Sequence, residues 1–406
     1  MSLAYDIIIA GGGCAGLSLA YYLNRSSLKN KRILILDTEP KTQNDKTWCF
    51  WTEKDLPFVC AKQTFWKEME FMSDQVTLTQ GLDTLRYVFV NSLAFYQEIK
   101  EELEQNPNVE FRYEKILRID SYDEYSEVET TLGTYHAPWT FNSIVFPQVK
   151  DPQRNFYLNQ HFGGWFIKTQ EPTFNPQRMR LMDFRVPQQD EARFVYILPF
   201  NEREALVEYT VFSEDKWLPE AYDQEIQHYL KEYIQVSDFE ITHREMGCIP
   251  MTNHSFARTQ GPRVVNLGTA AGLTKPTTGY TFLNIQRDAQ AIAREMERSG
   301  QPLYRRQTQK RFAFYDDLLL YIIRNHGGQT RRIFSYLFKR NPFQTILRFL
   351  DERTSLIEEL YIFARLPWGP FLNAIWQYKV LGKTGSQLST YTKPSKTSVP
   401  TQPMKS

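Results

Sequence analysis

The sequence has few cysteines and no obvious metal-binding pattern. Cys14, Cys49, Cys60 and Cys248 are its four cysteines, scattered over 406 residues, and the first lies inside a glycine-rich turn. This spacing argues against a disulfide framework and favours a reducing compartment. No C-x-x-C pair or histidine-rich stretch indicates a metal site.

The sequence also lacks long apolar runs. The longest of them are far shorter than the roughly 20 residues of a membrane-spanning helix. A predicted strand begins within five residues of the N-terminus, which leaves no room for a signal peptide. We therefore expect a cytoplasmic protein.

Charge is nearly balanced overall but unevenly distributed. The net charge is +1, yet residues 304–380 carry 13 Lys and Arg against 6 Asp and Glu, and residues 381–406 add four lysines and no acid. An anionic partner is expected for this basic end, either nucleic acid or a lipid surface. Because apolar and aromatic residues alternate with the basic ones, the pattern favours an anionic membrane and peripheral association with it.

The N-terminal stretch is typical of a dinucleotide-binding fold. The apolar run of residues 5–10 leads into glycines at G-x-G-x-x-G spacing, and a second strand ends at Asp37, about 20 residues after the last glycine. Such an acid can accept hydrogen bonds from a ribose, while the glycines let backbone approach a pyrophosphate at a helix N-terminus. The alternative is a glycine-rich turn without a ligand. The predicted cofactor contacts of this turn are Gly11, Gly13, Cys14, Ala15 and Gly16.

A second strand and turn follow much later, at residues 262–280, before a helix that runs to about Ser299. Two anion-binding turns so far apart indicate FAD rather than NAD, in the layout of the glutathione-reductase-like flavoproteins. No second G-x-G-x-x-G is present, so NAD(P)H would have no domain of its own. The predicted cofactor contacts of this later turn are Gly268, Ala271, Gly272, Thr278 and Gly279.

The segments between these turns predict the domain organisation and the fold class, which is α/β. We expect a Rossmann-like FAD-binding domain over 1–155 and 262–303, with strands that include 143–146, and an inserted antiparallel-sheet substrate domain over 156–261. Residues 304–380 predict a helical cap or membrane-associating region. Residues 381–406, rich in Ser, Thr, Pro and Lys, predict a disordered tail.

Residues 44–51 form a polar turn that leads into an aromatic cluster containing Trp48. A loop tucked under the sheet would explain this stretch. Its position after the second strand, where such folds return towards the flavin, equally favours a cofactor contact for Trp48.

These motifs resemble the flavin-dependent lycopene cyclases of carotenoid-making bacteria, which have relatives in plants and cyanobacteria. The resemblance lies in residues 11–20, 45–48, 193–199, 207–210, 247–251 and 271–280 and in the helical end, and covers the chain to about residue 378. The pattern departs from related flavoproteins at Thr269, where they have aspartate. It also reduces the acid-rich motif of the plant-type enzymes to Glu208-Tyr209-Thr210, which leaves one expected catalytic carboxylate, Glu208.

The resemblance implies the bacterial type of lycopene β-cyclase activity. An acid protonates an open ψ-end of lycopene or a related carotene, the end closes to a β-ionone ring, and a proton leaves. No electrons are transferred overall, although reduced FAD is required and NAD(P)H serves to reduce it. Glu208 suits the role of acid because it lies on an alternating strand among apolar residues, where burial would keep it protonated.

Other interpretations stay open at this point. A solvent-exposed glutamate at a strand edge would explain Glu208 without catalysis. The same fold could also serve an FAD-dependent monooxygenase, a prenyl-lipid reductase or a flavin-bearing lipid carrier, and fold alone does not separate these functions.

Overall fold

The structure is a computed structural model that describes residues 4–144, 151, 154–305, 309–380 and 382. Its strands are β1 Ile7–Ala10, β2 Ile33–Asp37, β3 Thr47–Thr52, β4 Thr64–Trp66, β5 Glu68–Met72, β6 Thr77–Gly81, β7 Arg86–Asn91, β8 Val109–Tyr113, β9 Ile116–Ser121, β10 Ser126–Thr130, β11 Thr134–Ala137, β12 Trp139–Asn142, β13 Leu158–Thr169, β14 Arg178–Asp183, β15 Ala192–Pro199, β16 Glu204–Ser213, β17 Phe239–Met251 and β18 Val264–Asn266. Its α-helices are α1 Cys14–Asn24, α2 Ser92–Glu104, α3 Pro219–Tyr229, α4 Phe282–Ser299, α5 Lys310–His326, α6 Thr330–Arg340, α7 Phe343–Leu350, α8 Leu356–Phe363 and α9 Trp368–Ala374, which continues as a π-helical segment, Ile375–Val380.

A five-stranded parallel sheet, in the order β18-β12-β1-β2-β8, forms the dinucleotide-binding part of the fold. Its central strand β1 is wholly buried, as expected for a parallel sheet covered on both faces. Helices α1, α2 and α4 contribute to the core on one face, and strands β9–β11 contribute to the core on the other. The predicted α/β fold class is confirmed.

One predicted strand is wrong in its position. The strand predicted over 143–146 is β12, which ends at Asn142, because Trp139–Asn142 pairs in register with β1 and with β18. Ser143 follows the strand, and its hydroxyl donates a hydrogen bond to the Ala10 carbonyl at 3.0 Å. Residues 145 and 146 lie outside the described part of the chain.

A seven-stranded sheet, in the order β17-β13-β16-β15-β14-β5-β6, forms the second layer. Its strand pairs are antiparallel apart from β14 with β5. Its longest strand, β17, runs without a break over Phe239–Met251. This sheet also includes β5 and β6, which precede residue 156, so the division into 1–155, 156–261 and 262–303 stays a prediction.

Helices α5–α9 and the small sheet β3-β7-β4 contribute to one apolar core together with one face of the seven-stranded sheet. Leu206 and Phe212 of β16 lie in this core, whereas Val207, Tyr209 and Val211 lie in another core with α3. The predicted two-faced alternation of this strand is confirmed. No helix in the described residues is long and apolar enough to cross a membrane. The tail at 381–406 lies outside the described residues apart from Gly382.

Candidate active site

The predicted glycine turn has the geometry of a phosphate cradle. Gly11 adopts φ +103°, and a Cβ on Gly16 would lie 2.0 Å from the Gly11 carbonyl oxygen, so α1 packs too closely on the turn for any side chain there. A Cβ on Gly13 would meet no atom within 4 Å. Helix α1 has no side-chain cap, so the amide groups of Cys14 and Ala15 at its start are available to an anion.

The later turn lies against the first. Gly268 adopts φ +56°, and a Cβ there would lie 2.9 Å from the Cβ of Ala15. Ala271 and Gly272 end the short 3-10 turn that begins at Gly268. The structure therefore brings together the two turns that the sequence predicts as cofactor-binding.

The end of the later turn also carries predicted cofactor contacts. The Oγ1 of Thr278 is buried and has no hydrogen-bond partner within the described residues. Gly279, at φ +73°, approaches Gln160, and a Cβ there would lie 2.5 Å from the amide oxygen of that side chain. An unpaired buried hydroxyl beside the two turns is what a bound ligand would satisfy.

Asp37 lies in the wall of a cavity of about 260 Å³ beside the glycine turn. Its carboxylate accepts hydrogen bonds from the backbone N–H groups of Gly12 at 2.8 Å and Thr38 at 2.7 Å. Tyr96 and Phe111 supply aromatic surface in the same cavity. A carboxylate beside aromatic surface suits an adenosine, and the open cradle and the unpaired Thr278 hydroxyl suit the remainder of an adenine dinucleotide. The residues present therefore fit FAD.

Trp48 lies apart from the acid described below. It packs on Phe95, Tyr96 and Phe282 with ring centroids 5.3 to 5.7 Å apart. Thr47, Cys49 and Trp51 occupy the alternate positions of the same strand, so their side chains face the seven-stranded sheet. A cofactor contact by Trp48 stays a prediction.

Glu208 lies beside a second carboxyl group, that of Glu245. In the sheet, Gly164 on β13 pairs with Glu208 on one side and with Glu245 on the other. Because Gly164 has no side chain, the two glutamates lie side by side across it, close enough for the charge of Glu245 to act on Glu208. A Cβ on Gly164 would lie 3.1 Å from the Cγ of Glu245, so a larger residue would crowd the pair.

The carboxyl pair holds its proton tightly. Burial raises the pKa of Glu208 well above its ordinary value, and the neighbouring Glu245 raises it further. Burial also raises the pKa of Glu245, although the Thr47 hydroxyl, which donates to it at 2.6 Å, acts against this. Since two adjacent carboxylates repel each other, the pair favours the state that holds one proton, and we assign that proton to Glu208.

Aromatic and thiol groups surround the pair. Tyr196 is the cross-strand partner of Glu208, and the Tyr280 and Tyr87 hydroxyls lie 3.3 Å apart. Trp51 packs edge-on against Tyr280 with ring centroids 4.5 Å apart. Burial, followed by the charges of Glu208 and Glu245, raises the pKa of the Cys49 thiol. These groups stay neutral, so the environment is a neutral aromatic shell around a protonated acid.

The family model described as lycopene cyclase protein matches residues 6–375. The chain belongs to the lycopene cyclase family. It is 28% identical to a lycopene beta-cyclase of Pseudescherichia vulneris, over 92% of this chain and 96% of the relative. A lycopene beta-cyclase of a Paracoccus species is 24% identical, over 92% of this chain and 97% of the relative.

Solved structures share the fold at lower identity. A geranylgeranyl bacteriochlorophyll reductase-like protein from Thermoplasma acidophilum superposes with a TM-score of 0.57 at 11% identity, covering 93% of this chain and 99% of its own. At that identity the likeness shows the fold alone.

Glu208 as the single catalytic carboxylate stays a prediction, and the structure places a second carboxyl group, that of Glu245, beside it. Glu245 was not predicted from the sequence because it lies in a run of charged residues on β17 that resembles a solvent-exposed strand. Glu245, Gly247, Ile249 and Met251 occupy alternate positions of β17 and so share one face of the strand. This alternation is the signal that could have identified Glu245. Gly164 had no such signal, because only strand pairing shows which residues it separates.

Proposed function

We propose that this protein is a lycopene β-cyclase that acts with bound, reduced FAD. The observation that carries the proposal is the Glu208–Glu245 carboxyl pair, which is half-buried and lined by aromatic side chains. The names of the two bacterial relatives support the choice of substrate and ring type. An acid that gives up a proton in such surroundings suits a reaction that begins by protonating an alkene.

The pair supplies and recovers the proton. Glu208 protonates the C1=C2 double bond of a ψ-end, the C5=C6 bond attacks the cation at C1, and loss of the C6 proton leaves the β-ionone ring. One proton is gained and one is lost, so no electrons are exchanged. After the first step both glutamates are ionised, and their repulsion favours recovery of a proton by the pair.

The aromatic shell stabilises the cationic intermediates. The faces of Trp51, Tyr87 and Tyr280 can each stabilise a desolvated cation by roughly 0.5–2 kcal/mol. Because burial raises the pKa of Tyr280 and of Tyr87, both remain neutral and do not trap the cation as phenolates. Exclusion of water by the shell prevents capture of the cation as an alcohol.

Gly11, Gly13, Gly16 and the turn at 268–279 would hold FAD, with Asp37 at the adenosine. When bound and reduced, FAD supplies negative charge that stabilises a cation in the site. NAD(P)H is proposed as the electron donor, used only to keep FAD reduced, because the sequence contains no second dinucleotide fingerprint.

The purified protein is expected to hold FAD non-covalently and to cyclise lycopene only after the flavin is reduced. Acid precipitation should release the flavin, and anaerobic assays with oxidised FAD, with dithionite and with NADPH should separate binding from activation. Full turnover with oxidised flavin and no reductant would contradict this proposal.

Membrane association is proposed because of two apolar helix faces. Leu356, Ile357 and Leu360 on α8 are 61%, 69% and 68% exposed, and Trp376 beyond α9 is 57% exposed. Basic groups lie alongside: the Arg340 and Arg365 side chains each hydrogen-bond the backbone oxygen of the other, which places the end of α6 beside α8. About 40 carbons of substrate would cost on the order of 30 kcal/mol to expose to water, so direct transfer from lipid is required.

Reversing charge at Arg332, Lys339 and Arg340 is expected to weaken flotation with phosphatidylglycerol liposomes, whereas the same change at exposed Lys29, Lys62 and Lys67 should not. Arg331 is left unchanged because it pairs with Asp74 at 3.6 Å. Equal flotation of the two triple variants would refute the electrostatic part of the proposal. Leu360→Glu tests the apolar part in the same assay.

A further inference from the structure

The C-terminal helices enclose an apolar cavity of about 180 Å³ that plays no part in the chemistry described above. An apolar cavity of about 150 Å³ is large enough to hold benzene. This cavity can therefore take a short isoprenoid segment but not a whole carotene. Its walls include Phe312, Leu319, Leu337, Phe363, Phe371 and Ile375.

The polar groups at one end of the cavity satisfy one another. Lys275 donates to both carboxylate oxygens of Asp316 at 2.7 Å and to Glu352 at 2.9 Å, and Thr277 donates to Asp316 at 2.7 Å. The three ammonium hydrogens are thus engaged. Among the described lining residues, a fatty acid or a phosphorylated prenyl chain would find no free cation for its head group, so the cavity favours a hydrocarbon.

One helix separates the cavity from the apolar surface. Phe371 and Ile375 line the cavity, whereas Leu372 and Trp376, on the same helical segment, are 56% and 57% exposed. A helix that is apolar on both sides requires an apolar environment on both sides. A bilayer outside and a hydrocarbon inside would satisfy this requirement.

The same polar end of the cavity leads towards the carboxyl pair. Thr277 lies in the cavity wall, and Tyr280, three residues later, lies beside Tyr87 in the shell around Glu208. The Lys275 N–H donates to the Tyr280 carbonyl at 3.1 Å, which closes the turn between them. A single turn therefore separates the cavity from the reaction site.

We propose that this cavity binds an isoprenoid segment of the carotene on its way from the bilayer to the carboxyl pair. The proposal rests on the proposed function, from which it takes the substrate class. It adds a binding site for hydrocarbon, distinct from Glu208 and from the FAD turns.

Photolabelling tests the site without depending on turnover. Full-length Glu208→Gln protein is bound to phosphatidylglycerol vesicles that contain a diazirine-bearing C20 isoprenoid hydrocarbon, and labelled residues are mapped by mass spectrometry. We expect labels on Phe363, Phe371 or Leu319. Labels confined to Leu372 and Trp376, or absent from α5–α9, would overturn the proposal.

A filled cavity provides the second test. Leu319→Trp is expected to abolish cavity labelling and to lower turnover of vesicle-borne lycopene by about tenfold, with bound flavin and Tm unchanged. Leu132→Trp is the same change at a turn where the side chain is 76% exposed, and it should alter neither cavity labelling nor turnover. Full labelling and turnover in a folded Leu319→Trp protein would refute the site. If the Leu319→Trp variant fails to fold, the photolabelling of the protein with an unchanged cavity decides whether the proposal stands.

The two proposals fail in different ways. If the cavity residues are labelled but the protein forms no cyclic product from lycopene, the cyclase assignment is refuted and the hydrocarbon site stands. If the protein cyclises lycopene but its cavity residues are never labelled, the proposed hydrocarbon site is refuted and the cyclase assignment stands.

Discussion

Glu208→Gln is expected to lower lycopene cyclisation by about a thousandfold or more, because general acid catalysis contributes roughly 10²–10⁴-fold and the amide cannot hold the proton that we assign to Glu208. The amide keeps the size of the side chain and can still accept the hydrogen bond that the Thr210 hydroxyl donates at 2.9 Å. Folding and flavin content should therefore stay normal. Product formation by chromatography and flavin absorbance measure the two effects separately.

Glu204→Gln is the matched control, since it makes the same change on the same strand. Its side chain is 41% exposed and lies 3.6 Å from Lys168. We expect this variant to retain wild-type turnover. Turnover near the wild-type level in Glu208→Gln would reduce Glu208 to a structural residue.

Glu245→Gln is expected to lower turnover at pH 8 by about a hundredfold. The raised pKa of Glu208 keeps its proton at pH values where an ordinary glutamate has lost it, and activity falls as the pH rises through that raised value. Glu245 contributes to the rise through its negative charge. Removing that charge lowers the pKa of Glu208, so the alkaline limb of the pH–activity profile should move to lower pH.

The position of the alkaline limb of the pH–activity profile shows whether Glu245 acts on the pKa of Glu208 or only contributes to packing. A variant that only disturbed packing would lose activity equally at every pH. Glu240→Gln, an exposed position on the same strand, should leave both turnover and the limb unchanged. An unmoved alkaline limb in Glu245→Gln would show that the two carboxyls titrate independently.

The dinucleotide-binding part of the fold was predictable because its signals are local. The glycine spacing, the strands beside it and Asp37 lie within the first 37 residues, and each depends on backbone geometry that only certain residue types allow. The alternation that placed Glu208 on the core face of β16 is equally local.

The second carboxyl was not predictable in this way because its environment is formed by distant segments. Glu245 is held in place by pairing of β17 with β13, which lies about 80 residues earlier, and by Thr47 from another sheet. Gly164 matters only because of what lies on its two neighbouring strands. Pairing of this kind depends on the register of the whole sheet, which a single sequence does not specify.

The position of β12 likewise depends on strand pairing that the sequence does not specify. Residues 143–146 are as apolar as the true strand at 139–142, and the choice between them is made by pairing with β1 and β18. Trp48 was predicted in a turn or loop but lies on strand β3, because Thr47–Thr52 pairs with β7 and two aromatic cores lie on the two sides of the strand.

The most direct test of an acid-triggered, redox-neutral cyclisation is the mass of the product formed in heavy water. Each ring closure adds a solvent-exchangeable proton at C2 and releases a different hydrogen from C6. In ordinary water the product should therefore be an isomer of lycopene, and in heavy water each ring should carry one deuteron, because a carboxyl group exchanges with solvent between turnovers. A product heavier by one oxygen atom, or by two hydrogens per double bond, would instead identify a monooxygenase or a reductase and contradict the cyclase assignment.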